Sequence, residues 1–140
     1  MAVLTTSTYK TLIVEDNDGF RQALRSLLSS RYPSMSFKEA RDGREALNEV
    51  SAFDPDLIFM DIKLPGENGL ELTGKIRASN SEAKIIILTS HDLPEYREAA
   101  RARGADHFLT KASSKGSEIF ALIDNLFSKT SRTETITRAE

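Results

Sequence analysis

The sequence predicts an α/β domain, in which a doubly wound parallel sheet carries helices on both faces. Two observations favour this fold class. Short apolar segments alternate with amphipathic helical segments along the chain. The central apolar segments are also continuous, which is typical of parallel strands that are buried on both faces. At 140 residues, the chain has the length of a single domain with one full core.

Five segments are predicted to form strands. They are Lys10–Val14, Met35–Ala40, Asp56–Met60, Lys84–Thr89 and Asp106–Thr110. The first, third and fourth are apolar almost throughout, as expected of central strands. The second alternates polar and apolar residues and is therefore expected at an edge of the sheet.

Amphipathic periodicity predicts five helices, one after each strand. They cover about Asp18–Tyr32, Gly43–Phe53, Gly69–Ala78, Leu93–Arg103 and Lys115–Ser128. The fourth offers only Tyr96, Ala99 and Ala100 to the core, so we expect it to be weakly anchored. Residues 1–8 are expected to be an N-terminal extension and residues 129–140 a flexible polar tail or the start of a linker, which leaves residues 9–128 as the domain.

Composition excludes several classes of function. The chain has no cysteine, so disulfides and thiolate metal sites are excluded. Its 19 basic and 21 acidic side chains give a net charge of −2, which offers no argument for direct nucleic-acid binding. No apolar stretch approaches the roughly 20 residues of a membrane span, and residues 1–8 show neither the basic nor the long apolar region of a secretory signal, so none is expected. A cytoplasmic, reducing environment is therefore expected.

Polar side chains follow four of the predicted strands at the point where each strand ends. Glu15 and Asp16 follow the first, and Asp61 follows the third just before the break at Pro65-Gly66. Thr89 ends the fourth, and Lys111 follows the fifth. The carboxyl ends of parallel strands form one edge of a sheet, where ligands bind in open α/β folds. Each residue alone has an ordinary alternative, such as a turn former or an acid that favours a helix N-terminus.

Three carboxylates at one edge repel one another unless a cation joins them. Glu15, Asp16 and Asp61 are hard oxygen ligands, which favours Mg²⁺ over zinc. Together with the ammonium of Lys111 and the hydroxyl of Thr89, such a site suits a phosphoryl group. Asp61, central in strand order, is the best-placed nucleophile and would form an aspartyl-phosphate.

As a set, these segments resemble the receiver domain (CheY-like) of two-component response regulators. The matching segments are Val14-Glu15-Asp16, Met60 to Gly66, Leu88-Thr89-Ser90 and Gly104 to Lys111. The resemblance covers about residues 9–128 and implies a flavodoxin-like fold with strand order 2-1-3-4-5. It implies a signalling domain, not a turnover enzyme, in which Asp61 accepts a phosphoryl group from the phosphohistidine of a sensor histidine kinase.

The resemblance also implies a role for each residue of the site. Mg²⁺ would be held by Asp16, Asp61 and the backbone carbonyl of Lys63, with Glu15 assisting through water. Lys111 would contact the phosphoryl group, and Thr89 and Phe108 would form a switch acting on the face of the fourth helix, fifth strand and fifth helix. Lys63 and His91 would tune the rate of dephosphorylation. A homodimer on the switch face is compatible with the resemblance, although the sequence supplies no interface argument.

The chain departs from the family pattern at three positions. Ala112 follows Lys111 where receivers often have a proline after a cis bond, so the isomer of the Lys111–Ala112 bond is left open. Phe108 stands in place of the more usual tyrosine, and Ser90 in place of alanine. The run after Lys111 looks more like that of receivers attached to helix-turn-helix output domains.

Several alternative functions remain at this point. A degenerate receiver could serve only as a protein-binding module. A haloacid dehalogenase-type phosphatase would need a second carboxylate two residues after Asp61, where this chain has Lys63. An EF-hand loop at Asp16 fails because Phe20 occupies a ligand position. The sequence leaves open whether the chain acts alone or is part of a longer DNA-binding regulator.

Overall fold

The computed structural model describes residues 9–79 and 81–139, with side chains as far as Phe127. Its five strands form one parallel sheet in the order β2-β1-β3-β4-β5. The strands are β1 (Lys10–Val14), β2 (Ser36–Ala40), β3 (Leu57–Met60), β4 (Lys84–Thr89) and β5 (His107–Thr110). The predicted fold class and strand order are confirmed, and the polar second strand lies at an edge.

Helices alternate with the strands and cover both faces of the sheet. They are α1 (Asp18–Arg31), α2 (Gly43–Phe53), α3 (Gly69–Ala78), α4 (Pro94–Ala102) and α5 (Gly116–Ala139). The core residues of α1 and α5 pack on one face, and those of α2, α3 and α4 pack on the other. Successive residues of the central strands point to opposite faces, so Ile58 and Phe59 belong to different core layers. Burial on both faces explains the continuous apolar runs.

The fourth helix buries little apolar surface, as the sequence predicts. Ala100 is its one fully buried side chain among the described residues, while Tyr96 and Ala99 are half-buried. A helix that buries so little apolar surface has little free energy holding it in one position.

The last helix differs from the prediction. The sequence predicts an end near Ser128, but α5 continues to Ala139. The assignment of residues 129–140 as a flexible polar tail or the start of a linker stays a prediction. The sequence between Ser128 and Ala139 contains neither glycine nor proline, so no strong stop signal interrupts the helix. The predicted N-terminal extension, residues 1–8, lies outside the described residues. None of the described helices combines the length and the apolar character needed to cross a membrane.

The inward face of α1 contains a charged residue. Ala23 is exposed, whereas Arg21 is buried beside Leu24 and Leu28. The guanidinium Nε of Arg21 donates to Glu39 Oε1 of β2 at 2.7 Å. Arg25 donates to the other oxygen of Glu39 at 2.5 Å, so two arginines of α1 share one carboxylate of the edge strand.

These arginines lower the pKa of Glu39. Burial alone would raise the pKa of this carboxyl, but the hydrogen bonds and charges of Arg25 and Arg21 outweigh that effect. A carboxyl whose pKa is lower in the folded state than in the unfolded chain stabilises the fold above its unfolded pKa of about 4.3. That stability is lost as the pH falls through the folded pKa.

We therefore expect Glu39→Gln to lower the free energy of unfolding by about 2 kcal/mol at pH 7, because buried Arg21 loses a charged partner. The difference from wild type should shrink as the pH falls below about 4.3, where the wild-type carboxyl also becomes neutral. Urea denaturation followed by circular dichroism between pH 3 and pH 7 measures it. Phe37→Leu on the same strand is the control, since its cost should stay constant with pH. A Glu39→Gln cost that is equally constant would contradict the assignment.

Candidate functional site

The candidate site lies at the carboxyl edge of the sheet, where β1 and β3 end side by side. Val14 pairs with Met60 in the register of these strands. The next residues, Glu15 and Asp61, are therefore neighbours. The backbone N–H of Asp61 continues the ladder by donating to the carbonyl of Val14 at 3.0 Å. Regular strand pairing thus delivers both acids to one edge.

Three carboxylates meet there, as the sequence predicts. Glu15, Asp16 and Asp61 each offer an oxygen, and these oxygens all lie within 4.8 Å of one another. Glu15 and Asp61 are buried, with 3% and 7% of their surface exposed, whereas Asp16 is open to solvent. We call these three residues the acidic cluster.

Lys111 inserts its ammonium into the acidic cluster. Its Nζ lies 2.7 Å from Glu15 Oε1 and 3.3 Å from Asp61 Oδ2. The same Nζ lies 4.3 Å from the ring centroid of Phe20, whose face attracts a cation. The backbone N–H of Lys111 donates to the carbonyl of Thr89 at 2.8 Å, which fixes the start of the side chain at the end of the sheet.

The site changes the acid–base properties of two of its members. Burial alone would lower the pKa of Lys111, but its hydrogen bond to Glu15 and the charge of Asp61 outweigh burial, so its pKa lies above the usual value. Burial raises the pKa of Glu15, and the hydrogen bonds from Lys111 and the N–H of Asn17 offset only part of that effect. Lys111 is therefore a permanent cation at neutral pH.

Hydrogen bonds orient the carboxylate of Asp61. Its Oδ1 accepts from the N–H of Ile62 at 2.8 Å, and its Oδ2 faces Lys111. One oxygen is thus held by the backbone and the other by a cation. A carboxylate fixed in this way is pre-organised to act as a nucleophile or a ligand.

The donor set fits Mg²⁺. Ionised, the acidic cluster and Lys111 carry an excess of two negative charges, which one divalent cation would balance. All three side chains offer oxygen atoms, the ligands that Mg²⁺ prefers, and the exposed Asp16 leaves an open side for the water molecules that this ion retains.

The two residues predicted to form a switch lie on neighbouring strands. Thr89 ends β4 two residues beyond Ile87, the partner of Met60, and its side chain is buried. Its hydroxyl accepts from the N–H of His91 at 3.3 Å. Phe108 pairs with Ile87 on β5 and is half-buried. The Arg97 guanidinium of α4 lies 4.6 Å from the Phe108 ring centroid, so this ring links the sheet to α4.

Lys63 and His91, the two predicted tuning residues, converge on Tyr96 of α4. The Nζ of Lys63 lies 6.0 Å from the Tyr96 ring centroid. The His91 ring meets the same ring edge to face, with centroids 6.4 Å apart. Both residues are exposed and belong to the loops that follow β3 and β4. Tyr96 thus brings the side chains of two separate loops together.

The Lys111–Ala112 peptide bond, whose isomer the sequence left open, is trans, as are all peptide bonds in the described part of the chain. After it, the hydroxyls of Thr110 and Ser113 contact each other, and the N–H of Ser114 donates to the carbonyl of Thr110 at 3.0 Å. This turn carries the chain from β5 towards α5 without a proline.

Sequence reasoning missed three residues that shape the site. The first is Phe20, which at the level of sequence serves only to rule out an EF-hand loop, yet its ring lies under Lys111. Arg21 binds the carbonyl of Glu15 at 2.8 Å. The sequence did contain a signal for Arg21, because it precedes Leu24 by three residues and Leu28 by seven and so lies on the same helix face. A charged residue rarely faces the core without a partner. The third missed residue is Gly69, which packs against the backbone of Asp61.

Gly69 begins α3 directly against the backbone that carries Asp61. Its N–H donates to the carbonyl of Ile62 at 2.8 Å. A Cβ atom at this position would lie 1.9 Å from the carbonyl oxygen of Asp61, far inside van der Waals contact. The side chain of Asn68 caps the helix by accepting from the N–H of Leu70 at 2.6 Å. The missing side chain thus lets α3 support the Asp61 backbone.

The family model described as the response regulator receiver domain matches residues 11–124. The chain is 36% identical over 115 residues to the chemotaxis protein CheY of Halobacterium salinarum, covering 82% of this chain and 94% of that protein. It is 35% identical over 100 residues to the response regulator MprA of Mycolicibacterium vanbaalenii, covering 71% of this chain and 42% of that protein. The chain therefore spans less than half of this longer relative.

Two crystal structures have the same fold. A two-component response regulator of the LuxR family from Aurantimonas sp. superposes with a TM-score of 0.79 at 32% identity, covering 88% of this chain and 87% of that chain. A DNA-binding response regulator of the LuxR family from Staphylococcus aureus gives a TM-score of 0.77 at 26% identity, covering 84% of this chain and 97% of that chain.

We expect Gly69→Ala to lower the free energy of unfolding by about 2–3 kcal/mol, because the new methyl group must displace the backbone of Asp61. Gly19→Ala is the matched control, since a Cβ there meets its nearest neighbour, Asn17 Oδ1, at 3.4 Å. That control should be neutral or mildly stabilising, as alanine favours the helix. Urea denaturation compares the two variants. An equal, small effect would show that α3 does not press on the Asp61 backbone.

Proposed function

Because this chain belongs to the family of response regulator receiver domains, we propose that Asp61 accepts a phosphoryl group from the phosphohistidine of a sensor histidine kinase. One observation carries the proposal: Lys111 contacts both Glu15 and Asp61 inside the acidic cluster. An acceptor carboxylate, a fixed ammonium and two further acids are the groups that phosphoryl transfer to an aspartate requires.

The transfer is a displacement at phosphorus. An oxygen of Asp61 forms the new P–O bond, the P–N bond of the donor breaks, and its electron pair returns to the histidine nitrogen. The ammonium of Lys111 pairs with a phosphoryl oxygen and holds the group in line with the oriented carboxylate. The product is an acyl phosphate on the protein itself, so the chain acts as a signalling domain that is modified, not as a turnover enzyme.

Mg²⁺ is the metal that this site suits. Asp16, Asp61 and the backbone carbonyl of Lys63 would hold it, and Glu15 would act through a water molecule. When bound, the ion neutralises negative charge on the carboxylates and the phosphoryl oxygens. Lys111 supplies only one positive charge, so most of the negative charge of the acidic cluster and of an incoming phosphoryl dianion is left unbalanced.

The output acts through Thr89, Phe108 and α4. Thr89 moves towards the phosphoryl group and leaves space that Phe108 fills, which biases a helix between two positions. The shallow anchoring of α4 and the contact of Arg97 with Phe108 support this role. The switch would act on one of two kinds of target. These are a DNA-binding segment in a longer protein, or another protein that contacts the face of α4, β5 and α5. A homodimer on the face of α4, β5 and α5 remains a prediction.

Two exposed residues would set the lifetime of the phosphorylated state. The family resemblance assigns Lys63 and His91 to the path by which water approaches the acyl phosphate. Their shared contact with Tyr96 supports a cover built from two loops. Lys63 would crowd out water, whereas the imidazole of His91 could either block a water molecule or orient it.

Both alternative functions fit the site less well. A degenerate receiver would lack one of the catalytic groups, but here the acidic cluster and Lys111 are complete and in contact. A haloacid dehalogenase-type phosphatase needs a second carboxylate two residues after its nucleophile, and Lys63 stands there. The site therefore supports a phosphorylated receiver best.

Asp61 should gain one phosphoryl group from a small acyl phosphate, since the catalytic groups belong to this chain. Intact mass spectrometry before and after incubation in Mg²⁺ measures the addition. Asp61→Asn should show none, because an amide is not a comparable nucleophile. Asp56→Asn, just before the other end of β3, is the matched control and should be modified like wild type. Equal modification of Asp61→Asn would overturn the assignment.

Lys63→Ala should shorten the half-life of the phosphorylated protein several-fold, equivalent to about 1 kcal/mol in the barrier to hydrolysis. The affinity for Mg²⁺ should barely change, because the metal would contact only the backbone carbonyl there. Mass spectrometry after removal of the phosphodonor gives the half-life. Lys38→Ala, an exposed lysine of β2, is the control and should match wild type. An unchanged half-life in Lys63→Ala would show that its side chain does not restrict water.

A further inference from the structure

Arg21 connects α1, the edge strand β2 and the acidic cluster through one buried guanidinium. Its side chain is only 5% exposed. The Nη1 atom donates to the backbone carbonyl of Glu15 at 2.8 Å, Nε to Glu39 at 2.7 Å and Nη2 to Asp18 at 2.5 Å. Burying an arginine is costly unless its donors are satisfied, so this placement calls for a reason.

The contact with Glu15 completes the restraint of that residue. The N–H of Glu15 donates to the carbonyl of Ala40 at 2.9 Å. Its carboxylate binds Lys111 through Oε1 at 2.7 Å and accepts from the N–H of Asn17 through Oε2 at 3.0 Å. Its carbonyl is held by Arg21. Every polar group of Glu15 therefore has a partner.

The carbonyl of Glu15 belongs to the planar peptide group that leads into Asp16. A hydrogen bond that fixes this oxygen also fixes the plane of the peptide, and with it the position from which the Asp16 side chain starts. Asp16 is exposed, and no hydrogen bond or ion pair of its carboxylate is described in the structured part of the chain. On the side of α1, the Arg21 side chain thus holds the peptide before Asp16, while the N-cap contacts of Asn17 hold the residue after it.

We propose that Arg21 is a positioning residue that sets the Glu15–Asp16 peptide so that the acidic cluster is assembled for its divalent cation. This inference rests on the proposed function, since it concerns the Mg²⁺ site of the receiver. Arg21 does not touch the reacting groups; it acts through the backbone of Glu15. Groups that orient metal ligands in this way typically contribute 10- to 100-fold to metal affinity.

The sign of the effect separates positioning from simple charge. A positive charge near a cation site repels the cation, so its removal by itself should strengthen Mg²⁺ binding. Asp18 and Glu39 also lose Arg21 as a partner, so their existing negative charge near the site is less well balanced. A charge effect therefore predicts tighter binding after Arg21 is removed, whereas positioning predicts weaker binding.

Isothermal titration calorimetry with MgCl₂ on the full chain, without any phosphodonor, tests the proposal. Arg21→Met should weaken Mg²⁺ binding about tenfold. Arg21→Lys should also weaken it, by about threefold, because one ammonium cannot replace a fork with three partners. Arg77→Met is the matched control. Arg77 is a partly buried arginine of α3 that binds the carbonyls of Gly104 and Ala83, so its loss should destabilise the fold without altering Mg²⁺ affinity by more than twofold.

Each outcome decides the proposal. Weaker binding in Arg21→Met, with Arg77→Met close to wild type, supports it; if Arg21→Met does not fold, weaker binding in Arg21→Lys takes its place. Unchanged or tighter binding in the folded Arg21 variants overturns it, as does an equal loss in Arg77→Met. Suppose that the wild-type chain binds Mg²⁺ and is phosphorylated, and that the Arg21 variants bind Mg²⁺ equally well. This result refutes only the role of Arg21 and leaves the proposed function intact. A wild-type chain that does not bind Mg²⁺ refutes the proposed function, and this inference with it.

Discussion

The ammonium of Lys111 between the carboxylates of Glu15 and Asp61 is the interaction on which the rest of the site depends. Three acids delivered to one edge repel one another, and two of them are buried. Lys111 offsets part of that repulsion at 2.7 and 3.3 Å, and the remaining negative charge calls for a divalent cation. In the proposed transfer, the same ammonium would pair with the phosphoryl group. One contact would then serve both the charge balance of the unmodified site and the proposed reaction at Asp61.

Most of the fold could be predicted because its strands carry redundant signals. The run from Leu57 to Met60 is apolar at every position and is followed by Asp61, so burial on both faces and the polar strand end were visible together. The acidic cluster and Lys111 followed from one rule about parallel strand ends, and the structure brings them into contact. The family resemblance supplied the strand order, which periodicity alone leaves open.

What the sequence could not predict depends on contacts between distant segments. On α1, the charged Arg21 is buried and the apolar Ala23 is exposed, the reverse of what their polarity suggests. The reason is that the partners of Arg21 lie on β2 and at the end of β1. Tyr96 joins Lys63 and His91 only once α4 is placed beside two loops. The end of α5 lies beyond the predicted one because the polar sequence after Ser128 contains neither glycine nor proline to stop the helix. In each case the local sequence pattern was outweighed by contacts between distant segments or by the tendency of a helix to continue until a residue stops it.

The dependence of Asp61 phosphorylation on a divalent cation tests the central claim most directly. The wild-type chain is incubated with a small acyl phosphate in MgCl₂ or in EDTA, and intact mass is measured over time while circular dichroism verifies the fold. With Mg²⁺, the chain should gain one phosphoryl group. In EDTA it should remain unmodified and folded, since one ammonium cannot offset the acidic cluster and a phosphoryl dianion together. Equal modification in EDTA would contradict the claim that this cluster works as a cation-dependent phosphoryl acceptor.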